Sequence, residues 1–443
     1  MKSGFQDYVE GKLLREDDKE LFRTLLENYN KGKITEVDID ELIRRLLRVY
    51  VQVGMFENEE DLPIGERNSK RHQELARKMA EEGIVLLRNE KQLLPLNINQ
   101  IDTIAVLGPN ANRKFGKILL GGAAAVTPPY EITPIKGLKE KCKGKMRIIK
   151  DPSKADVVFL FMGLNHDSQI KLTSEKTIED KPEFGKESES VDRTEFGLPT
   201  AQVELIKKTI ENNPNTIVIL NNANPISMEE WIEDAHTIVE VWYPGMEGGR
   251  AIANILFGDV NPSGKIPLTF PKKLKDSPAH KSTKTFPGEN LKVYYEEGIY
   301  VGYRYFEKKN IEPLFPFGFG LSYTSFEIKK ASSDKDKLNS KEDSLKITVE
   351  VINTGERAGS EVIQIYSESP GKEVDRPLKE LVGFEKVFLN KGEKKNLEIQ
   401  IKAKDLAFYD TEKADWRIEQ GKYILHIGNS STSITAKIEI EYK

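Results

Sequence analysis

The residues best suited to chemistry gather in one stretch. GKESESVDRTEFGLP, at 185–199, brings Glu187, Glu189, Asp192, Arg193 and Glu195 into a single short loop, with Glu183 just before it. Carboxyl groups held this way can serve as general acids or bases. The apolar run upstream ends in FMGLNHD, which sets Asn165, His166 and Asp167 at a strand end. Loops leaving the carboxyl ends of strands in open α/β sheets commonly meet ligands. Plainer roles suit the same residues. A loop of Glu, Ser, Lys and Asp is ordinarily solvated, Asp192 and Arg193 can pair to anchor it, and Asn165, His166 and Asp167 can cap the strand. Glu187 and Glu189 lie two apart on one loop, a poor geometry for flanking a single bond. Other chemistries are thinly supplied. Cys142 is the one cysteine, so neither an internal disulfide nor a Cys-rich metal site is available. The five histidines form no HExxH or HxH pattern, so no metal-dependent reaction and no cofactor is expected.

Three kinds of pattern surround this loop. Residues 1–64 read as polar and helical. In TEVDIDELIRRLLRVYVQVGMF, Ile39, Leu42, Ile43, Leu46 and Leu47 recur at helical spacing, and Thr35 with Asp38 resembles a capping box. Such a face must pack on something, and two lone helices make a poor domain, so a fragment of a larger domain is expected. Residues 65–285 alternate helices with short apolar runs: IVLLRN, IAVLG, DVVFLFMG, TIVILNN and TIVEVWY. Runs this rich in Val and Ile suit a parallel sheet covered on both faces, so a doubly wound α/β sandwich is expected. A Pro/Gly/aromatic connector occupies 286–325. From 326 to 443 the period changes to two, in SLKITVEVINTG, EVIQIYSES, NLEIQIKA, YILHIGNS and TAKIEIEY. This predicts a β-sandwich of fibronectin type III or immunoglobulin type, with Trp416 and Tyr423 in its core.

The bulk numbers agree with a globular protein. Of 443 residues, 38% are hydrophobic and 31% charged, too long a chain for one core. Lys and Arg total 67 against 71 Asp and Glu, a net charge of −4, which gives no support for nucleic-acid or membrane binding. MKSGFQDYVEGKLLRED lacks the apolar core of a secretory signal, and no run of about 18 apolar residues occurs. A cytoplasmic location is the corresponding expectation.

Several ordered segments resemble glycoside hydrolase family 3, of the β-glucosidase and β-xylosidase type. They include ARKMAEEGIVLLRNEKQLLPL, IAVLGPNAN, GGAAAVTPPYEITPIKGL, WYPGMEGGRAIANILFGDVNPSGKIPLTFP, YEEGIYVGYRYF and PLFPFGFGLSYTSF. NTGERAGSEVIQIY, RPLKELVGFEKV and EQGKYILHIGNSS resemble the family's fibronectin type III-like module, and GKITEVDIDELIRRLLRVYVQVGMFE the last helix of its barrel. The glycines of YPGMEGG suit tight turns at a strand-to-helix junction. NPSGKIPLTFP, with prolines around a short run, reads as an edge strand.

The resemblance implies a retaining glycosidase, which needs two carboxyl groups about 5–5.5 Å apart. The nucleophile would be a barrel aspartate, and most of the barrel is missing from this sequence. The acid/base would be a glutamate in a motif of the form E-G-x-D-R. Matching Asp192 and Arg193 to that motif puts Glu189 in the acid/base position, with Ser190 in place of glycine. The family's GGGSA appears as LGGAAAV, with Ala123 where serine is common. The implied partners are a β-linked glycoside or oligosaccharide, a separate barrel chain, and a second copy of this chain. The alternative is a non-catalytic remnant, or a sugar-binding or assembly module with the same fold.

Overall fold

The computed structural model describes residues 16–62, 64–114, 126–165, 185–186 and 195–443. The chain divides into two compact units, Met1–Arg67 and Asn68–Lys443.

The first unit is a helical hairpin, α1 (Glu16–Asn30) and α2 (Glu36–Gln52). Thr35 starts α2 with the expected box. Its hydroxyl accepts from the Asp38 N–H, and the Asp38 carboxylate accepts from the Thr35 N–H at 2.9 Å. The expected apolar stripe is present too. Leu42, Ile43, Leu46 and Leu47 are all exposed, and Leu25, Leu26, Ile39 and Leu42 line a groove of about 660 Å³ within the hairpin.

The second unit begins with α3 (Lys70–Gly83), capped by Ser69, and continues into an α/β sheet. Its strands are β1 (Val85–Asn89), β2 (Thr103–Leu107), β3 (Arg147–Ile149), β4 (Val157–Asn165), β5 (Gly185–Lys186), β6 (Thr216–Asn221) and β7 (Thr237–Glu240). The spatial order is β1-β7-β6-β4-β2-β3, with β5 pairing the end of β4. Helices α4 (Pro134–Cys142), α5 (Thr200–Asn212) and α6 (Gly248–Leu256) cover it. Alternation along the strands sends Phe159, Phe161, Ile217 and Ile219 into one apolar layer with Leu138 and Ile252. Leu160, Met162, Val218 and Leu220 enter the opposite layer with Val203, Ile206 and Trp231. Both faces are therefore buried, as the unbroken Val/Ile runs require.

Two local expectations for the α/β sandwich need correction. IVLLRN does form a strand, but β1 runs antiparallel to β7 in an otherwise parallel sheet. An apolar run carries no direction, so its pattern fits either arrangement. NPSGKIPLTFP forms no strand. Its three prolines withhold N–H donors, and the remaining groups reach the connector only at isolated points: Ile266 N–H to Phe319 O and Phe270 N–H to Phe315 O, each at 2.9 Å.

The connector includes α7 (Tyr303–Lys308), whose Tyr303, Tyr305 and Phe306 are buried as packing residues. Beyond it lie β8 (Phe326–Ser333), β9 (Lys337–Leu338), β10 (Ser344–Asn353), β11 (Gly359–Glu368), β12 (Glu380–Leu389), β13 (Lys394–Lys402), β14 (Phe408–Asp410), β15 (Asp415–Arg417), β16 (Gly421–Gly428) and β17 (Ile434–Tyr442). Sheets β13-β10-β8 and β12-β11-β16-β17-β9 face each other over one core. Tyr423 is buried there, its hydroxyl donating back to Glu419 O at 2.9 Å. Trp416 is not in the core. It lies 59% exposed on the separate two-stranded β14–β15 hairpin, edge-on against Tyr409. A two-stranded ribbon has no covered face to bury it.

Candidate active site

Strands β2, β4, β6 and β7 run parallel, so their C-terminal ends share one edge of the sheet. The strand order reverses between β2 and β4, since β3 lies on one side of β2 and β4 on the other. Crevices form at such switch points. A cleft of about 300 Å³ opens at this edge, lined by Arg113, Ile132, Asn221, Tyr243 and Met246 among others. Burial pushes the Arg113 guanidinium down to about 10, which leaves it a charged donor at neutral pH.

The best-defined feature of this edge is the end of β4, from which the carboxylate loop departs. Three side chains from three other elements hold its last peptide groups. Asn110, after β2, donates to Met162 O at 3.1 Å. Gln202, on α5, accepts from Gly163 N–H and donates to Gly163 O, both at 2.9 Å. Tyr243, after β7, donates to Leu164 O at 3.3 Å. Asn110 and Gln202 are fully buried, where a hydrogen bond is worth most and its loss costs most. Gly163 itself is forced. Its φ is +127°, and a Cβ there would sit 2.0 Å from Asn221 O.

Beyond β5 the described structure resumes at Glu195, which is exposed. There Phe196 O accepts from Ser227 N–H at 2.9 Å, Leu198 is buried, and Pro199 leads into α5. Glu189, His166, Asp167, Asp192 and Arg193, with Glu183, Glu187, Ser190 and Ala123, lie outside the described residues. Asn165 is the last residue of β4, as expected.

The rim opposite is fastened by a second network, built around the buried Glu247. Glu247 accepts from Tyr130 Oη at 2.6 Å and from Arg250 Nη1 at 3.0 Å, and Arg250 Nε reaches Glu140 at 2.7 Å. Burial and then the Glu247 bond push the Tyr130 hydroxyl up to about 12. The glycine-rich turn works as its composition suggests. Gly245 has φ +72°, and a Cβ on Gly249 would meet Thr133 O at 2.2 Å, so α4 and α6 meet through backbone. Among the described residues no cluster of His, Cys, Asp and Glu could hold a metal ion, and no helix is long and apolar enough to cross a membrane.

Asn110, Gln202 and Tyr243 were not singled out from sequence. One signal was available for Gln202: it shares the buried helical face with Val203, Ile206 and Thr209, a long polar side chain on a face turned to the core.

The fold and the edge together define a class: an α/β sandwich of the kind appended to glycosidase barrels, followed by a fibronectin type III-like β-sandwich. Residues 84–303 match the glycosyl hydrolase family 3 C-terminal domain, and residues 361–431 the fibronectin type III-like domain. The chain belongs to glycoside hydrolase family 3. It is 37% identical to thermostable β-glucosidase B of Acetivibrio thermocellus, over 83% of this chain and 48% of that protein. It is 36% identical to β-glucosidase BoGH3A of Bacteroides ovatus, over 86% of this chain and 53% of that protein. Among solved structures, β-glucosidase 3B from Thermotoga neapolitana, in complex with α-D-glucose, superposes with a TM-score of 0.78 at 30% identity, covering 98% of this chain and 62% of that one. The chain spans about half the length of the curated relatives it matches.

Proposed function

We propose that this chain is the C-terminal part of a retaining β-glycosidase acting on β-glucosides or β-xylosides, and that it contributes the general acid/base. The segment between Asn165 and Glu195 carries Glu189 in that role, with Asp192 and Arg193 anchoring the segment and Asn165, His166 and Asp167 facing the sugar. A family 3 barrel supplies the nucleophilic carboxylate. The observation that carries this reading is the rigid seating of both ends of that segment at the switch-point edge of a sheet whose relatives are β-glucosidases. The acid/base must donate a proton to the leaving oxygen and then take one from water, so its carboxyl must be protonated near neutrality in the resting site. Burial against the sugar and repulsion from the nucleophile both act in that direction.

The test is hydrolysis of p-nitrophenyl β-glucoside and β-xyloside by the chain alone and mixed with a family 3 barrel polypeptide. Activity in the mixture, reduced by about 10²–10⁴ in Glu189→Gln, is the expected result. An active mixture indifferent to Glu189→Gln would remove the assignment. Inactivity of every combination would favour the non-catalytic reading.

A further inference from the structure

Resting on the acid/base reading above, we infer that Gln202 is a positioning residue that ties together the two ends of the 164–198 segment. The departing end is Gly163, whose N–H and C=O are both engaged by the Gln202 carboxamide at 2.9 Å. The returning end is Pro199, whose carbonyl accepts from the Gln202 backbone N–H at 2.8 Å. One residue thus bonds through its side chain to the strand the segment leaves and through its backbone to the turn by which it returns. The paired amide bonds imitate an extra strand and fix Gly163 in both rotation and register. Gln202 is 1% exposed, so neither bond competes with water.

Gln202 touches no reacting atom; it sets where the segment begins and ends. A general acid depends on placement within hydrogen-bond reach, and a displacement of about 1 Å can cost 10²-fold. The neighbouring clamps act on β4 as well. Asn110 donates to Phe161 O through its backbone N–H at 3.3 Å and to Met162 O through its side chain at 3.1 Å, and Tyr243 donates to Leu164 O at 3.3 Å.

The test uses Gln202→Met, which keeps length and volume and removes both amide bonds. Hydrogen–deuterium exchange on the full chain reads the mechanical part. Exchange in peptides covering 160–165 and 195–201 is expected to rise about tenfold, with peptides from β10 and β16 unchanged. Unchanged exchange at either end, or a uniform rise across the whole sheet, would overturn the inference. The catalytic part is read on whichever preparation is active. Phenyl β-glucoside needs protonation of its leaving group, and dinitrophenyl β-glucoside does not. Gln202→Met is expected to lower kcat on the first about tenfold more than on the second, and to shift the alkaline limb of the pH profile. A general loss of stability would slow both alike. If Glu189→Gln changes that ratio and Gln202→Met does not, the acid/base reading stands and the positioning role is lost. If neither changes it, the acid/base reading has failed, and exchange alone decides whether Gln202 joins the two ends.

Discussion

Asp156 illustrates how one exposed carboxylate can organise a sheet. It lies just before β4, and its Oδ2 accepts from Thr103 N–H at 2.8 Å, Asp102 N–H at 2.9 Å and Thr103 Oγ1 at 3.0 Å, which binds the start of β4 to the start of β2. The Thr103 N–H and then the Asp102 N–H hold its carboxyl below the ordinary 3.8. A folded-state pKa that is depressed gives stability that is present above the unfolded pKa and lost as pH falls through the folded one. Asp156→Asn is therefore expected to lower Tm at neutral pH. The gap to wild type should close below about pH 4, as the native carboxyl protonates. Thermal melts of both proteins from pH 7 to pH 2.5 check this, and a gap constant over that range would contradict it. At this scale the sequence is legible only where partners are near. Thr35 and Asp38, three apart, could be paired by inspection. Gln202 and Gly163, or Tyr243 and Leu164, could not, because the fold alone brings such distant positions together.

At the scale of elements, period and composition located almost every helix and strand, and failed where two arrangements share one pattern. The run that became β1 could have joined the sheet in either direction. The alternation around Trp416 fits a half-buried sandwich strand as well as a free ribbon, and the ribbon is what forms. The difference can be weighed. Tyr423 fills the sandwich core, so Tyr423→Ala is expected to cost about 3–5 kcal/mol, as for other large aromatic truncations. Trp416→Ala removes a solvent-facing cross-strand contact with Tyr409 and is expected to cost about 1 kcal/mol or less. Urea unfolding of the two variants separates these values, and equal losses would put Trp416 back among the core residues.

For the second unit as a whole, the seam between the α/β sandwich and the fibronectin type III-like domain is what neither domain's pattern foretold. Lys265 pairs with Glu361 at 2.6 Å with both side chains largely buried, and its Nζ also donates to Gly320 O at 2.8 Å. Tyr323 reaches Ile255 O at 2.9 Å, and Gln364 donates to Gly318 O at 3.1 Å. These bonds join residues that read from sequence as ordinary loop and strand positions. Lys265→Met would leave Glu361 buried without its cation, at a cost of about 3 kcal/mol. Calorimetry is expected to show one transition for the unit in wild type and two in Lys265→Met, because the seam no longer couples the domains. A single transition at the wild-type Tm would show that the pair does little.

The reversed first strand of the sheet also has a consequence in time. β1 pairs with β7, Val85 opposite Glu240, and its Leu86 bridges onward to Leu321. During synthesis β1 emerges long before either partner, and at ordinary translation speeds of 5–20 residues per second the wait for β7 is roughly eight to thirty seconds. Throughout that interval Val85, Leu86 and Leu87 lack their place in the sheet. The sandwich therefore closes late, when its last strand reaches its first, and a ribosome stalled before that point would hold a sheet with one edge still open.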